Sequence, residues 1–129
     1  KLAKFLEKDL YIYNNSDNIK EITEIEADAF VGPLISKRAV ETVGFPKGEL
    51  FIYGDDLEYT YRISRQFDTY LIKNAVINHR DQPSNIGVQK PNNWWKDYYM
   101  YRNRIFFVRE FQKNKIKMYI YDKTYITRK

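Results

Sequence analysis

The stretch that most constrains the fold is the run Phe51-Ile-Tyr-Gly-Asp-Asp-Leu-Glu-Tyr59. Its aromatic and β-branched start reads as a strand that stops at Gly54. Two adjacent carboxylates, Asp55 and Asp56, come next, and a helix is expected from Leu57 to about Gln66. Acids at a strand-to-helix junction stand at the mouth of a sheet, where α/β folds usually bind ligands. The same spacing also suits a plain helix start, with Asp55 as N-cap and Glu58 completing a capping box.

The flanking segments fit one α/β domain over residues 1–129, a length sufficient for one modest core. Leu10 to Tyr13 is a short β-like run, and Asn14 to Asn18 a polar turn. Ile22 to Val31 alternates in part, with Ile25, Ala27, Ala29 and Val31 on one face, as in a half-buried strand. Ser36 can cap a helix carrying Ala39, Val40 and Val43, with Gly44 as its stop and Pro46 blocking continuation. Thr69 to Ile72 and Ala75 to Asn78 read as two short strands around a Lys73-Asn74 turn. The only histidine, His79, follows. Residues 80–93 contain Pro83, Gly87 and Pro91 and read as a long loop of the kind that often carries function. Asn93 can cap a long helix from Trp94 to about Gln112, with Trp94, Trp95, Tyr98, Tyr99, Ile105 and Phe106 in its apolar stripe and Tyr101 and Val108 as optional members. Arg102, Arg104 and Arg62 are expected in structural roles, Arg62 in an ion pair on the helix surface. Beyond Lys113 the chain alternates basic with apolar or aromatic residues, as either a strand or a helix.

Composition narrows the function classes. There is no cysteine, so disulfide frameworks and thiolate metal sites are excluded. No apolar run approaches the ~20 residues of a membrane-spanning helix, and residues 1–8 lack the apolar stretch of a signal peptide. A cytoplasmic protein is expected, with peripheral contact at the inner face of the membrane as an option for the basic aromatic tail. Net charge is +5 and twelve residues are tyrosine. Tyrosine joins apolar area to a polar tip and suits clefts and carbohydrate surfaces. A nucleic-acid-binding module is the alternative that basic charge and aromatics suggest. The central acid pair argues against it, and nucleic acid is not expected as a partner. A non-catalytic glycan-binding protein is the third class.

Five motifs in order carry a resemblance: Phe30-Val-Gly-Pro-Leu-Ile-Ser-Lys-Arg38, Val43-Gly-Phe-Pro46, Phe51 to Arg62, Ala75-Val-Ile-Asn-His79, and Trp95-Lys-Asp-Tyr-Tyr-Met-Tyr-Arg-Asn-Arg104. Together they resemble the C-terminal half of family-two inverting glycosyltransferases, most closely galactofuranosyl- and rhamnosyltransferases, over most of residues 25–107. The fold so implied is a partial GT-A-type domain, a short mixed sheet flanked by helices with a long aromatic C-terminal helix.

The resemblance implies that Asp56 is the general base. It would take the proton of an acceptor hydroxyl as that oxygen attacks the anomeric carbon of a nucleotide sugar, UDP-galactofuranose or dTDP-rhamnose in type. The glycan acceptor would be a polysaccharide or glycolipid. Asp55, Gly54, Tyr53, Trp94 and Trp95 fall in the implied substrate-binding set. For most of Trp94, Trp95, Tyr98 and Tyr99, packing in the core is the competing reading, with Trp94 or Trp95 the expected exception because they follow the loop. His79 would be one ligand of Mn²⁺ or Mg²⁺, with the others on an Asp-x-Asp motif in a nucleotide-binding half. A half-buried strand-end histidine is its plainer reading. Neither the Asp-x-Asp motif nor a βαβ nucleotide unit stands in these 129 residues, so the chain alone is expected to be inactive.

Overall fold

The structure is a computed structural model and describes residues 20–78 and 94–125. His79, the loop 80–93 with its Asn93 cap, the N-terminal strand and turn, and the last four residues lie outside the described residues. Among the described residues the fold is mixed α/β. In chain order these are β1 (Ile22–Glu24), α1 (Lys37–Val43), a 3₁₀ turn (Gly48–Leu50), α2 (Asp55–Ser64), β2 (Tyr70–Ile72), α3 (Trp94–Phe111) and α4 (Lys115–Tyr125).

The two strands pair antiparallel, with Thr23 opposite Leu71. The sheet is therefore antiparallel among these residues, not mixed. Ile25 N–H extends the pairing by donating to Thr69 O at 3.0 Å. The expected strand to Val31 ends early because the chain leaves the sheet for α2. Asp28 N–H donates to the Thr60 hydroxyl at 3.0 Å, and Thr60 Oγ1 lies 2.9 Å from Asp28 O. A side chain on a helix thus satisfies backbone groups that a neighbouring strand would otherwise take. Residues 75–78 form no strand either. Ala75 N–H closes the Lys73-Asn74 turn onto Ile72 O, but β2 already pairs with β1.

Helix α1 follows its sequence punctuation. Ser36 accepts from Ala39 N–H at 3.2 Å, and Gly44 ends the helix at φ +81°, a conformation that favours glycine.

Helix α2 is the centre of the packing because it is apolar on two faces. Tyr59 and Ile63, one turn apart, cluster with Ala39 of α1 and with Ile35, Val43 and Phe67. Leu57 and Tyr61, also one turn apart, face α3 and cluster with Phe107, Val108, Ile105, Phe111 and Ala27. Tyr61 meets the Phe107 and Phe111 rings edge-on at centroid distances of 5.2 and 4.8 Å, a favoured aromatic geometry.

Ion pairs lock these helices. Glu58 is 0 % exposed, an expensive position for a carboxylate unless it is paired. Arg62 Nε reaches it at 2.8 Å and Lys47 Nζ at 3.2 Å. Lys47 also bonds Glu110 Oε2 of α3 at 2.6 Å, and Arg62 donates to the carbonyls of Val43 and Phe45 at the end of α1. Arg62 is thus ion-paired as expected, but as a half-buried strut between α1 and α2 rather than on the open surface.

Candidate active site

The segment before the acid pair is not a strand. After the 3₁₀ turn, Phe51 adopts φ +62° and ψ −59°, and Ile52 N–H donates back to Leu50 O at 2.7 Å. This is a γ-turn with a positive central φ, a rare and strained form. Tyr53 follows at φ +61° and Gly54 at φ +88°. Backbone strain of this kind costs about 1–3 kcal/mol per residue and persists only where its surroundings over-determine it.

Asn103, on α3 and 3 % exposed, supplies that determination. Its Nδ2 lies 2.7 Å from Leu50 O, 2.9 Å from Ile52 O and 2.7 Å from Tyr53 O. Its Oδ1 accepts from Arg102 Nε at 2.9 Å. Arg102 itself donates to the carbonyls of Glu49 and Leu50, the structural role expected of it. Successive carbonyls of a strand point to opposite sides, so the Ile52 and Tyr53 oxygens converging on one amide are incompatible with an extended run here.

Gly54 occupies the N-cap in the left-handed region, and Asp55 is the first helical residue. The N-cap and capping-box readings of Asp55 and Glu58 therefore do not hold: Glu58 points into its ion pairs instead. Asp55 and Asp56 are both half-buried in the first turn of α2, where a helix terminus favours negative charge. Asp56 Oδ1 accepts from Leu57 N–H at 2.8 Å. That bond uses one oxygen, and a carboxylate has a second with full acceptor capacity. A hydroxyl hydrogen-bonded there could surrender its proton.

Beside this mouth stands an aromatic shelf. The Phe51 ring, 65 % exposed, lies 5.1 Å from Tyr99 and 6.4 Å from Trp95. The Arg102 guanidinium stands 4.6 Å from the centroid of Tyr99. Trp94 is 78 % exposed and Trp95 is also exposed, where one of the two is the expected exception to core packing; Tyr98 is exposed too, which corrects the core reading for it. Tyr99 is half-buried. The buried residues of α3 are Asn103, Phe107 and Val108. The expected stripe chose Phe106, which is exposed, over its neighbour Phe107.

Of the sequence-derived site residues, Tyr53, Gly54, Asp55 and Asp56 are consecutive at the start of α2. Trp95 lies near Phe51, just before them, at a ring-centroid distance of 6.4 Å, and His79 lies outside the described residues. Asn103 was not anticipated: an asparagine between two arginines on a helix carries no local signal for a contact fifty residues away. Among the described residues no group of three or more histidine, aspartate or glutamate side chains could hold a metal ion. Asp55 and Asp56 do not make such a centre by themselves, and no step is derived through one. Comparison with known proteins finds no matching family model, no matching curated protein and no matching solved structure.

Proposed function

We propose that residues 25–107 form the acceptor side of an inverting family-two glycosyltransferase, with Asp56 as general base. The observation that carries the reading is the acid pair at the start of α2, held behind a strained, Asn103-clamped turn beside an exposed aromatic shelf. In this reading an acceptor sugar packs its C–H face on Phe51 and Trp95. Asp55 accepts hydrogen bonds from its hydroxyls, and Asp56 removes the proton of the attacking oxygen. The donor is a nucleotide sugar of the UDP-galactofuranose or dTDP-rhamnose type, and the product a polysaccharide or glycolipid of the cell envelope. Attack opposite the leaving nucleotide inverts the anomeric centre.

Strain supports this assignment physically. A general base must be held within hydrogen-bond reach of one hydroxyl, and a rigid turn directly before Asp55-Asp56 limits how far the pair can drift. The test is sugar transfer by the natural full-length polypeptide, with and without the Asp56 carboxylate.

A further inference from the structure

The charge of this chain is not spread along it. Residues 113–129 hold six basic residues, Lys113, Lys115, Lys117, Lys123, Arg128 and Lys129, against one acid, Asp122, a net of 6 − 1 = +5. The chain has 22 basic and 17 acidic residues in all, so residues 1–112 hold 16 of each and are neutral. The whole net charge therefore sits on the segment that contains α4.

That segment starts as a well-defined helix. Asn114 Oδ1 accepts from Ile116 N–H at 3.0 Å and from Lys117 N–H at 3.1 Å, a standard side-chain cap. Gln112 Oε1 in turn accepts from Asn114 N–H at 2.9 Å, setting the corner after α3. Along α4, Ile116, Tyr119, Ile120 and Lys123 recur at i, i+3, i+4 and i+7 and share one face. On that face Ile116 is 72 % exposed and Tyr119 63 %, while Ile120 is 36 % exposed. Lys115 and Lys117 flank it on opposite sides, and Lys123 Nζ stands 5.7 Å from the Tyr119 ring.

We infer that α4 lies on an anionic lipid surface, with Ile116, Tyr119 and Ile120 in the headgroup boundary and the lysines against lipid phosphates. Ile116, Tyr119 and Ile120 on one helix face can sit in a lipid headgroup boundary, and the concentration of lysine on this segment supplies the electrostatic attraction to anionic lipid. Long lysine stems can bury along the boundary while their ammonium groups reach phosphate. A nucleic acid would match the charge but not the paired isoleucines. The inference does not depend on the glycosyltransferase reading, because lipid binding is measured without sugar transfer.

The test is co-sedimentation of the intact chain with two vesicle types: phosphatidylcholine alone, and equal parts phosphatidylcholine and phosphatidylglycerol. Binding to the anionic vesicles is expected to be at least about tenfold stronger and to weaken with salt. Lys115→Glu with Lys123→Glu should lower it by about tenfold or more, whereas Lys115→Arg with Lys123→Arg should retain it. Ile116→Ser should also weaken it while circular dichroism of the variant stays that of the parent. Equal binding to both vesicle types, no binding to either, or full binding by the charge-reversed variant would overturn the inference. So would an oligonucleotide bound more tightly than the anionic vesicles, or a dimer in solution that Ile116→Ser dissociates.

Discussion

The side-chain amide of Asn103 lies 2.7 Å from the main-chain oxygen of Tyr53, fifty positions earlier in the chain, and fixes the residue that leads into Gly54, Asp55 and Asp56. One buried amide from α3 thereby sets where α2 begins.

Removing that amide should loosen the mouth of the site. Asn103→Ala takes the amide donor from the Ile52 and Tyr53 carbonyls, while Leu50 O keeps Ile52 N–H and Arg102, and should destabilise the fold by about 3 kcal/mol. Asn103→Asp should be worse, because a carboxylate is acceptor-only and would face the same three oxygens. Urea denaturation of both variants checks the order. An Asp variant as stable as the parent would show that the amide is not the donor.

The turn itself makes a second case. Gly54 sits at φ +88°, and a Cβ there would meet Asn103 Cβ at 3.6 Å, an ordinary contact. Gly54→Ala should therefore cost only the conformational term, about 1–2 kcal/mol. Gly32 differs. At φ +77° its added Cβ would lie 1.8 Å from Ile77 Cδ1, so Gly32→Ala combines backbone strain with a clash. Adding Ile77→Ala should relieve the clash and leave about 1–2 kcal/mol. If the double variant is no more stable than the single one, Ile77 is not the obstacle.

Much of this architecture is written locally. Ser36, Gly44 and Pro46 delimit α1 within a few residues, and the helical periodicity after Trp94 marks α3 almost to its end. What escapes local reading depends on distant partners. Phe51-Ile-Tyr53 looks like any strand until Asn103 takes its carbonyls. Glu58 looks like a capping-box acid until Lys47 and Arg62 close around it. Tyr98 looks like core because aromatics at helical spacing usually are, yet it is exposed and α3 turns Phe107 inward. The acid pair was legible as the start of a helix, and its position alone suited a plain cap as well as a site. The strained turn that holds it was not, since its cause lies on another helix.

The buried carboxylate gives a larger effect. Glu58→Ala takes the buried carboxylate from between Lys47 and Arg62 and should destabilise by about 3 kcal/mol, the low end for a broken buried pair because Glu110 still holds Lys47 and the Val43 and Phe45 carbonyls still hold Arg62. Thermal denaturation checks it. A loss below about 0.5 kcal/mol would mean that the pairs are worth no more than surface ones.

Alkaline pH should weaken the fold. Burial of Lys47 favours its neutral form, but hydrogen bonds and charge from Glu110 and Glu58 outweigh it and carry the ammonium above its ordinary 10.5. Tyr61 is raised above its ordinary 10.0 chiefly by burial, with Glu26 adding and Arg65 opposing. Both groups hold their protons more tightly folded than unfolded. Their contribution is thus intact below these ordinary values and lost as pH rises through the folded ones. Denaturation midpoints should hold up to about pH 10 and fall as pH rises above it, and Lys47→Met with Tyr61→Phe should flatten the fall. An unchanged slope in that pair would place the loss elsewhere.

The most direct measurement is sugar transfer by the natural full-length polypeptide carrying Asp56→Asn, assayed with UDP-galactofuranose and dTDP-rhamnose and a glycan acceptor. Asparagine keeps the size and can still accept from Leu57 N–H, but it cannot take a hydroxyl proton. If Asp56 is the base, kcat should drop by about 10²-fold or more while donor affinity is unchanged. Transfer at a near-parental rate by this variant, or no transfer from either donor by the parent, would contradict the assignment.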